Sequence, residues 1–167
     1  MLADLAPGPD GQLNAADRHW LREAIELSRQ CSQSASAYCV GAVLVGSDGT
    51  VLATGYSRER DPHDHAEEAA LSRVDPAGPR LAQATLYSSL EPCRFRASRP
   101  VSCAELIIGA GLRRVVVAWL EPPVLAPGGG AELLRGRGVT VLEVPELAAE
   151  AMAVNAAMLG GPAIRED

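Results

Sequence analysis

Val40-Gly41-Ala42-Val43-Leu44-Val45-Gly46-Ser47-Asp48-Gly49-Thr50-Val51-Leu52-Ala53-Thr54-Gly55-Tyr56 is the stretch that decides the fold. Two β-rich runs, Val40 to Val45 and Val51 to Tyr56, flank the turn sequence Gly46-Ser47-Asp48-Gly49 and read as an antiparallel hairpin. Ahead of it, Asn14 is placed to cap a helix whose apolar positions Trp20, Ala24, Leu27 and Cys31 recur at helical spacing, reaching about Ser32. Behind it, the pattern predicts a helix over His65 to Val74, a strand over Thr85 to Ser89 and a helix over Cys103 to Ala110. A strand over Val115 to Trp119, a helix over Ala131 to Arg135, a strand over Val139 to Val144 and a last helix over Glu146 to Leu159 complete the series. A hairpin followed by strands alternating with helices implies a mixed sheet with its later strands parallel, in a three-layer α/β/α sandwich. Such sheets gather functional residues beyond the carboxyl ends of their strands, where helices begin. His65 and Cys103 each open a predicted helix, and Cys93 follows the third strand.

The 167 residues suit one domain, 1–167, with a flexible lead over 1–13 and a tail over 160–167. With 47% hydrophobic residues the chain has material for a core, yet no run approaches the roughly 18 apolar residues of a membrane span. Met1 to Gly11 has no basic segment leading into an apolar one, so the expected compartment is the cytoplasm. Fifteen Lys and Arg against 21 Asp and Glu leave a formal charge of −6, which disfavours nucleic acid and favours a small-molecule substrate. The four cysteines read as reduced, since nothing marks the chain as a small secreted scaffold.

Chemistry concentrates in His65-Ala66-Glu67, then Glu91-Pro92-Cys93, then Cys103. One imidazole and two thiolates are a three-ligand set for Zn2+ that leaves the fourth tetrahedral position for water. Zinc lowers the pKa of water to roughly 7 and so supplies hydroxide at neutral pH. Releasing ammonia from a cyclic amidine also requires a carboxyl that moves protons between water, ring nitrogen and leaving amine, and Glu67 is placed to do this. The pattern is that of zinc deaminases, H-x-E…P-C-x-x-C, except that nine residues, Arg94 to Ser102, separate the two cysteines. That insertion is expected to bulge over the site.

Val40 to Asn155 resembles the deaminase domain of riboflavin-biosynthesis proteins, the diaminohydroxyphosphoribosylamino-pyrimidine deaminases of the cytidine/deoxycytidylate deaminase superfamily. The resemblance is carried by Val40-Gly41-Ala42-Val43, Gly55-Tyr56, His65-Ala66-Glu67, and Leu86-Tyr87-Ser88-Ser89-Leu90-Glu91-Pro92-Cys93. Arg99-Pro100 before Cys103, Gly111 followed by Arg114-Val115-Val116-Val117, and Asn155 extend it. It implies a five-stranded sheet, zinc as the metal, a homodimer, an aminopyrimidine-type substrate, and substrate contacts at Ala66, Ser57, Ser89, Glu91 and Arg99. The reductase that often follows this domain is not expected in a chain ending at Asp167.

The sequence departs from that family where Ser36-Ala37-Tyr38 replaces Pro-Asn-Pro and Ser57 replaces a His. Ser36-Ala37-Tyr38-Cys39-Val40-Gly41-Ala42 is similar instead to cytidine deaminases, so a cytosine nucleoside or nucleotide is the rival substrate. A catalytically inactive zinc scaffold is the rival of another class, and retention of Glu67 argues against it. Cys31 and Cys39 read as buried structural thiols. His63 belongs to a polar loop, His19 to a helix surface, and Gly128-Gly129-Gly130 to a turn, since no Gly-Lys-Ser/Thr follows. Phe95 and Trp119 read as packing residues before base-stacking ones.

Overall fold

The computed structural model describes residues 2–123, 125 and 127–160. The first helix, α1, is Ala15–Ser28, and Asn14 caps it reciprocally: its side chain accepts from the Asp17 amide at 2.9 Å while the Asp17 carboxylate accepts from the Asn14 amide at 2.8 Å. The helix ends short of Ser32 because its exit tightens into three-residue turns, with the amides of Arg29, Gln30 and Cys31 bonding Glu26, Leu27 and Ser28. The stretch expected as a flexible lead makes defined contacts, the Trp20 indole donating to the Leu5 carbonyl at 2.8 Å and the Gly8 amide to the Asp17 carboxylate at 3.2 Å.

Strands β1 (Gly41–Val45) and β2 (Val51–Tyr56) form the expected hairpin, with Gly49 at φ +81° in the turn. Leu52 falls in a bulge, since Leu44 pairs with Ala53 but Val45 with Val51. Then come α2 (Ala66–Leu71), β3 (Thr85–Ser88), α3 (Cys103–Gly109), β4 (Arg114–Val117), α4 (Gly130–Gly136), β5 (Thr140–Glu143) and α5 (Ala148–Val154). The sheet order is β2-β1-β3-β4-β5, with β1 antiparallel to both neighbours and β3, β4 and β5 parallel. Helix α1 packs on β1, β3 and α5 on one face; α2, α3 and α4 cover the other. The three central strands are buried along their whole length, as a sheet covered on both faces requires, while β2 alternates.

The elements and layers match the sequence reading; the boundaries shift. The last helix is shorter at both ends. Pro145 starts a 3-10 turn, and at the other end Asn155 is drawn out of the helix by the backbone of Cys39, whose amide donates to Asn155 Oδ1 at 2.7 Å while Nδ2 donates to its carbonyl at 3.0 Å. Among the described residues, no helix is long and apolar enough to cross a membrane.

At the amino ends of β3 and β4 lies a buried ionic group. Asp17, fully buried, accepts from Arg114 at 2.8 and 3.0 Å and from the Tyr87 hydroxyl at 2.6 Å. Burial alone would raise its pKa, but the hydrogen bonds from Arg114 and Tyr87 more than reverse this and hold the carboxyl below its usual value. A depressed carboxylate stabilises the fold fully above the unfolded value of about 3.9 and loses that contribution as pH falls through the lower folded value. Asp17→Ala strands Arg114 and Tyr87 in the interior and is expected to cost about 3–5 kcal/mol by urea unfolding at neutral pH. A loss within about 0.5 kcal/mol would show that the group is not a structural anchor.

Candidate active site

Each reactive side chain is set by the start of an element or a loop after a strand. His65 caps α2 with extended backbone (φ −91°, ψ 155°), which places Glu67 in the first turn. Gly55 on β2 makes this possible: a side chain there would collide with the Ala66 carbonyl, so only glycine lets α2 lie this close to the sheet. Cys93 follows β3, and Cys103 is the first residue of α3 after the capping box of Ser102 and Glu105. The Cys103 amide donates to Cys93 Sγ at 3.3 Å, and the Ala104 amide to the Cys93 carbonyl at 3.0 Å.

The three donor atoms converge. His65 Nδ1 lies 3.5 Å from Cys93 Sγ and 3.4 Å from Cys103 Sγ, and all three atoms fall within 4.8 Å of one another. Tetrahedral zinc with the usual bond lengths would set nitrogen and sulfur about 3.5 Å apart, so the donor set fits that ion in chemistry and in spacing. Without a cation the thiols share their protons unequally. The hydrogen bond from Cys103, helped by His65, pulls Cys93 down to about 4 against the effect of burial, while Cys103 is pushed up by its bond to Cys93 and by burial. A divalent ion would override this difference and hold both as thiolates.

Glu67 is buried beside the cluster, its carboxyl held above the ordinary value by burial, with His65 and Ser88 opposing. Ser88 Oγ lies 2.8 Å from both Glu67 Oε1 and the Leu90 carbonyl. One hydroxyl proton cannot serve two acceptors. A protonated Glu67 donating to Ser88, which then donates to Leu90, satisfies all three groups, and the ionised form is served by turning the hydroxyl. Ser88 therefore follows Glu67 through either protonation state.

A cavity of about 840 Å³ opens on this cluster, with His65, Glu67 and Cys93 in its wall. Ser57, Glu91 and Arg99, three of the five expected substrate contacts, also line it; Ala66 and Ser89 do not. Ser89 Oγ accepts from the Gly41 amide at 3.1 Å, and Ser57 Oγ from the Val40 amide at 2.8 Å, so the two hydroxyls clasp the start of β1. Glu91 is spent on backbone, accepting from Glu121 at 3.1 Å and Ala131 at 2.8 Å. Arg99 contacts Glu68 at 3.1 Å, Asp64 at 3.4 Å and Asp61 at 3.5 Å.

The insertion between the cysteines lines the cavity with residues 94–100. It is fastened by Arg99 and by Arg96, which donates to the His63 carbonyl at 2.6 Å and pairs with Glu68. Phe95 is exposed at the rim under the Arg94 guanidinium, and Trp119 is buried edge-on against Tyr38. The sequence reading missed Arg58 and Glu121, which line the cavity, and gave no individual role to Tyr38, which also lines it, or to Ser88, which bonds Glu67. Glu121 is pushed up to about 7 by burial and by the nearby Cys93, Glu91 and Glu67. Its place just past β4 was the available signal, since carboxyl ends of strands collect such groups.

Known proteins resemble the chain in sequence and fold. A 126-residue stretch is 39% identical to the diaminohydroxyphosphoribosylamino-pyrimidine deaminase of Schizosaccharomyces pombe, covering 74% of this chain and 31% of that protein. The riboflavin biosynthesis protein RibD of Aquifex aeolicus is 37% identical over 75% of this chain and 34% of its own length. RibD of Acinetobacter baumannii superposes with a TM-score of 0.74 at 32% identity, over 86% of this chain and 39% of that one. The chain thus spans about a third of the length of the curated relatives it matches. Residues 14–119 match the model of the cytidine and deoxycytidylate deaminase zinc-binding region, and the chain belongs to that family.

Proposed function

We propose that this chain is a zinc-dependent aminohydrolase that releases ammonia from an aminopyrimidine base, nucleoside or nucleotide, with a riboflavin-pathway pyrimidine as the first candidate. The observation that carries the reading is the buried carboxyl of Glu67 beside a three-donor cluster in a cavity wall. A purely structural zinc site closes with four protein ligands and has no use for such a group. His65, Cys93 and Cys103 would hold the zinc ion, which when bound would supply a water-derived nucleophile at neutral pH. Glu67 carries both protons of the attacking water in turn, the first to the ring nitrogen as the C–O bond forms and the second to the amine as the C–N bond breaks, with Ser88 turning to match each state. The walls formed by the 94–100 loop and by Ser36 to Tyr38 hold the heterocycle and exclude bulk water. The same proposal places the enzyme in the cytoplasm as a homodimer.

A cytosine nucleoside remains the second reading, favoured by the position of Ser36-Ala37-Tyr38 in the cavity wall. Ammonia release from a panel of phosphorylated and unphosphorylated aminopyrimidines and cytosine nucleosides separates the two. Activity on the cytosine compounds alone would displace the first.

Metal analysis should find one zinc per chain, lost in Cys93→Ala; a full equivalent in that variant refutes the ligand set. Light scattering should give twice the 17.5 kDa chain mass, and a monomer at all concentrations refutes the dimer. Glu67→Gln should retain zinc and fold while turnover falls by about 10² to 10⁴ or more. Activity within a few-fold of wild type would remove Glu67 from the proton transfers.

A further inference from the structure

Two cysteines stand outside the metal cluster. Cys31 lies in the turn that ends α1, Cys39 leads into β1, and their Sγ atoms are 2.6 Å apart in the interior. Both ends are fixed. Cys31 is tied to the helix exit through its amide, and Asn155 grips the amide and carbonyl of Cys39. Between them, residues 32–38 run mostly at the surface and supply Ser36, Ala37 and Tyr38 to the cavity wall.

The surroundings separate a redox pair from a second metal site. Arg58 Nη2 lies 2.8 Å from Cys31 Sγ and 3.4 Å from Cys39 Sγ, and a fixed positive charge at that range repels a cation. Among the described residues, the one cluster of three metal-type donors is His65, Cys93 and Cys103. A guanidinium instead favours thiolate, the form of cysteine that attacks an oxidant. Arg58 is held there by the fold. It is the one described non-glycine residue at positive φ, +58°, its amide bonds the Asp64 carbonyl at 2.8 Å, and its Nη1 bonds the Tyr38 carbonyl at 3.2 Å. Burial, and then the neighbouring Cys39, push the Cys31 thiol up to about 12, with Arg58 opposing. Cys31 therefore rests as a thiol at neutral pH, and the buried pair reacts slowly and only with oxidants small enough to enter.

We propose that Cys31 and Cys39 are a redox-modification site, in which a peroxide converts the two thiols to a disulfide that clips the 32–38 wall of the cavity to the end of α1. One thiolate attacks a peroxide oxygen, the O–O bond breaks, and a sulfenic acid and water result. The second thiol attacks that sulfur, the S–S bond forms, and the S–O bond breaks to give a second water. In sum the thiols lose two electrons and two protons and the peroxide is reduced to two waters; a dithiol reverses the change by exchange. The ends to be joined are already in place, so the bond restricts the loop without repacking the core.

The test uses the zinc-loaded protein and hydrogen peroxide. Trypsin should release Gln30 to Arg58 as one peptide carrying both cysteines, since no Lys or Arg lies between its ends. After peroxide, denaturation and alkylation, that peptide should be lighter by two hydrogens and carry no alkyl group, zinc should stay bound, and dithiothreitol should restore two alkylation sites. Amide exchange over residues 32–38 should slow at least tenfold in the oxidised protein, and Cys31→Ser should show neither effect. Two alkyl groups after peroxide, or oxidation only together with zinc release, overturns the site. A disulfide with unchanged exchange overturns its control of the wall. None of these readouts uses deaminase activity, so the outcome is independent of the proposed reaction.

Discussion

The site depends on two helix starts being brought to one point. His65 and Cys103 are 38 residues apart, yet the cap of α2 and the first residue of α3 put their donor atoms 3.4 Å apart. Few local choices permit this. Gly55 lets α2 sit against β2, the Ser102–Glu105 box fixes where α3 begins, and the amide of Cys103 turns the Cys93 thiol inward. Gly130 repeats the device on α4, where a side chain would strike the Pro92 carbonyl and displace the segment that carries Cys93. The donor cluster is thus a property of how three helices meet a sheet, and none of its residues is held by a long flexible loop alone.

Much of this was legible in the sequence because its causes are local. The hairpin showed in its turn residues, the first helix in its cap, and the metal set in residue types that rarely coincide at helix starts. What was not legible was decided by partners distant in sequence. Asn155, which caps the end of α5, is held by the amide and carbonyl of Cys39, 116 residues away, as well as by the Ala151 carbonyl. Ser89 and Glu91 lie in the most recognisable run of the chain, and their side chains serve backbone amides. Residue type marks a polar group as important near a site; only the fold shows whether it faces the cavity or builds the wall behind it.

The electrostatics of the cavity have the same origin. Arg96 and Arg99, on the insertion between the cysteines, would read as an anion-binding pair, but Glu68, Asp64 and Asp61 on the loop and helix around His65 meet them. The pairs made by the partly exposed Arg99 contribute little stability singly. Several together fix the insertion against the segment that carries His65. The charges of Arg96 and Arg99 are thus largely met by carboxylates within the molecule.

The buried ionic group of Asp17, Arg114 and Tyr87 explains how the fold supports a cavity so rich in ionisable groups. It sits at the amino ends of β3 and β4, while the donor cluster and Glu67 sit beyond the opposite ends. Glu67 and Glu121 are each pushed up first by burial, the kind of shift that collects at functional sites. At the other end, a carboxylate with a full complement of donors ties α1 to two central strands. Separating the two along the strands lets one end of the sheet be well satisfied while the other keeps a carboxyl whose proton is free to move.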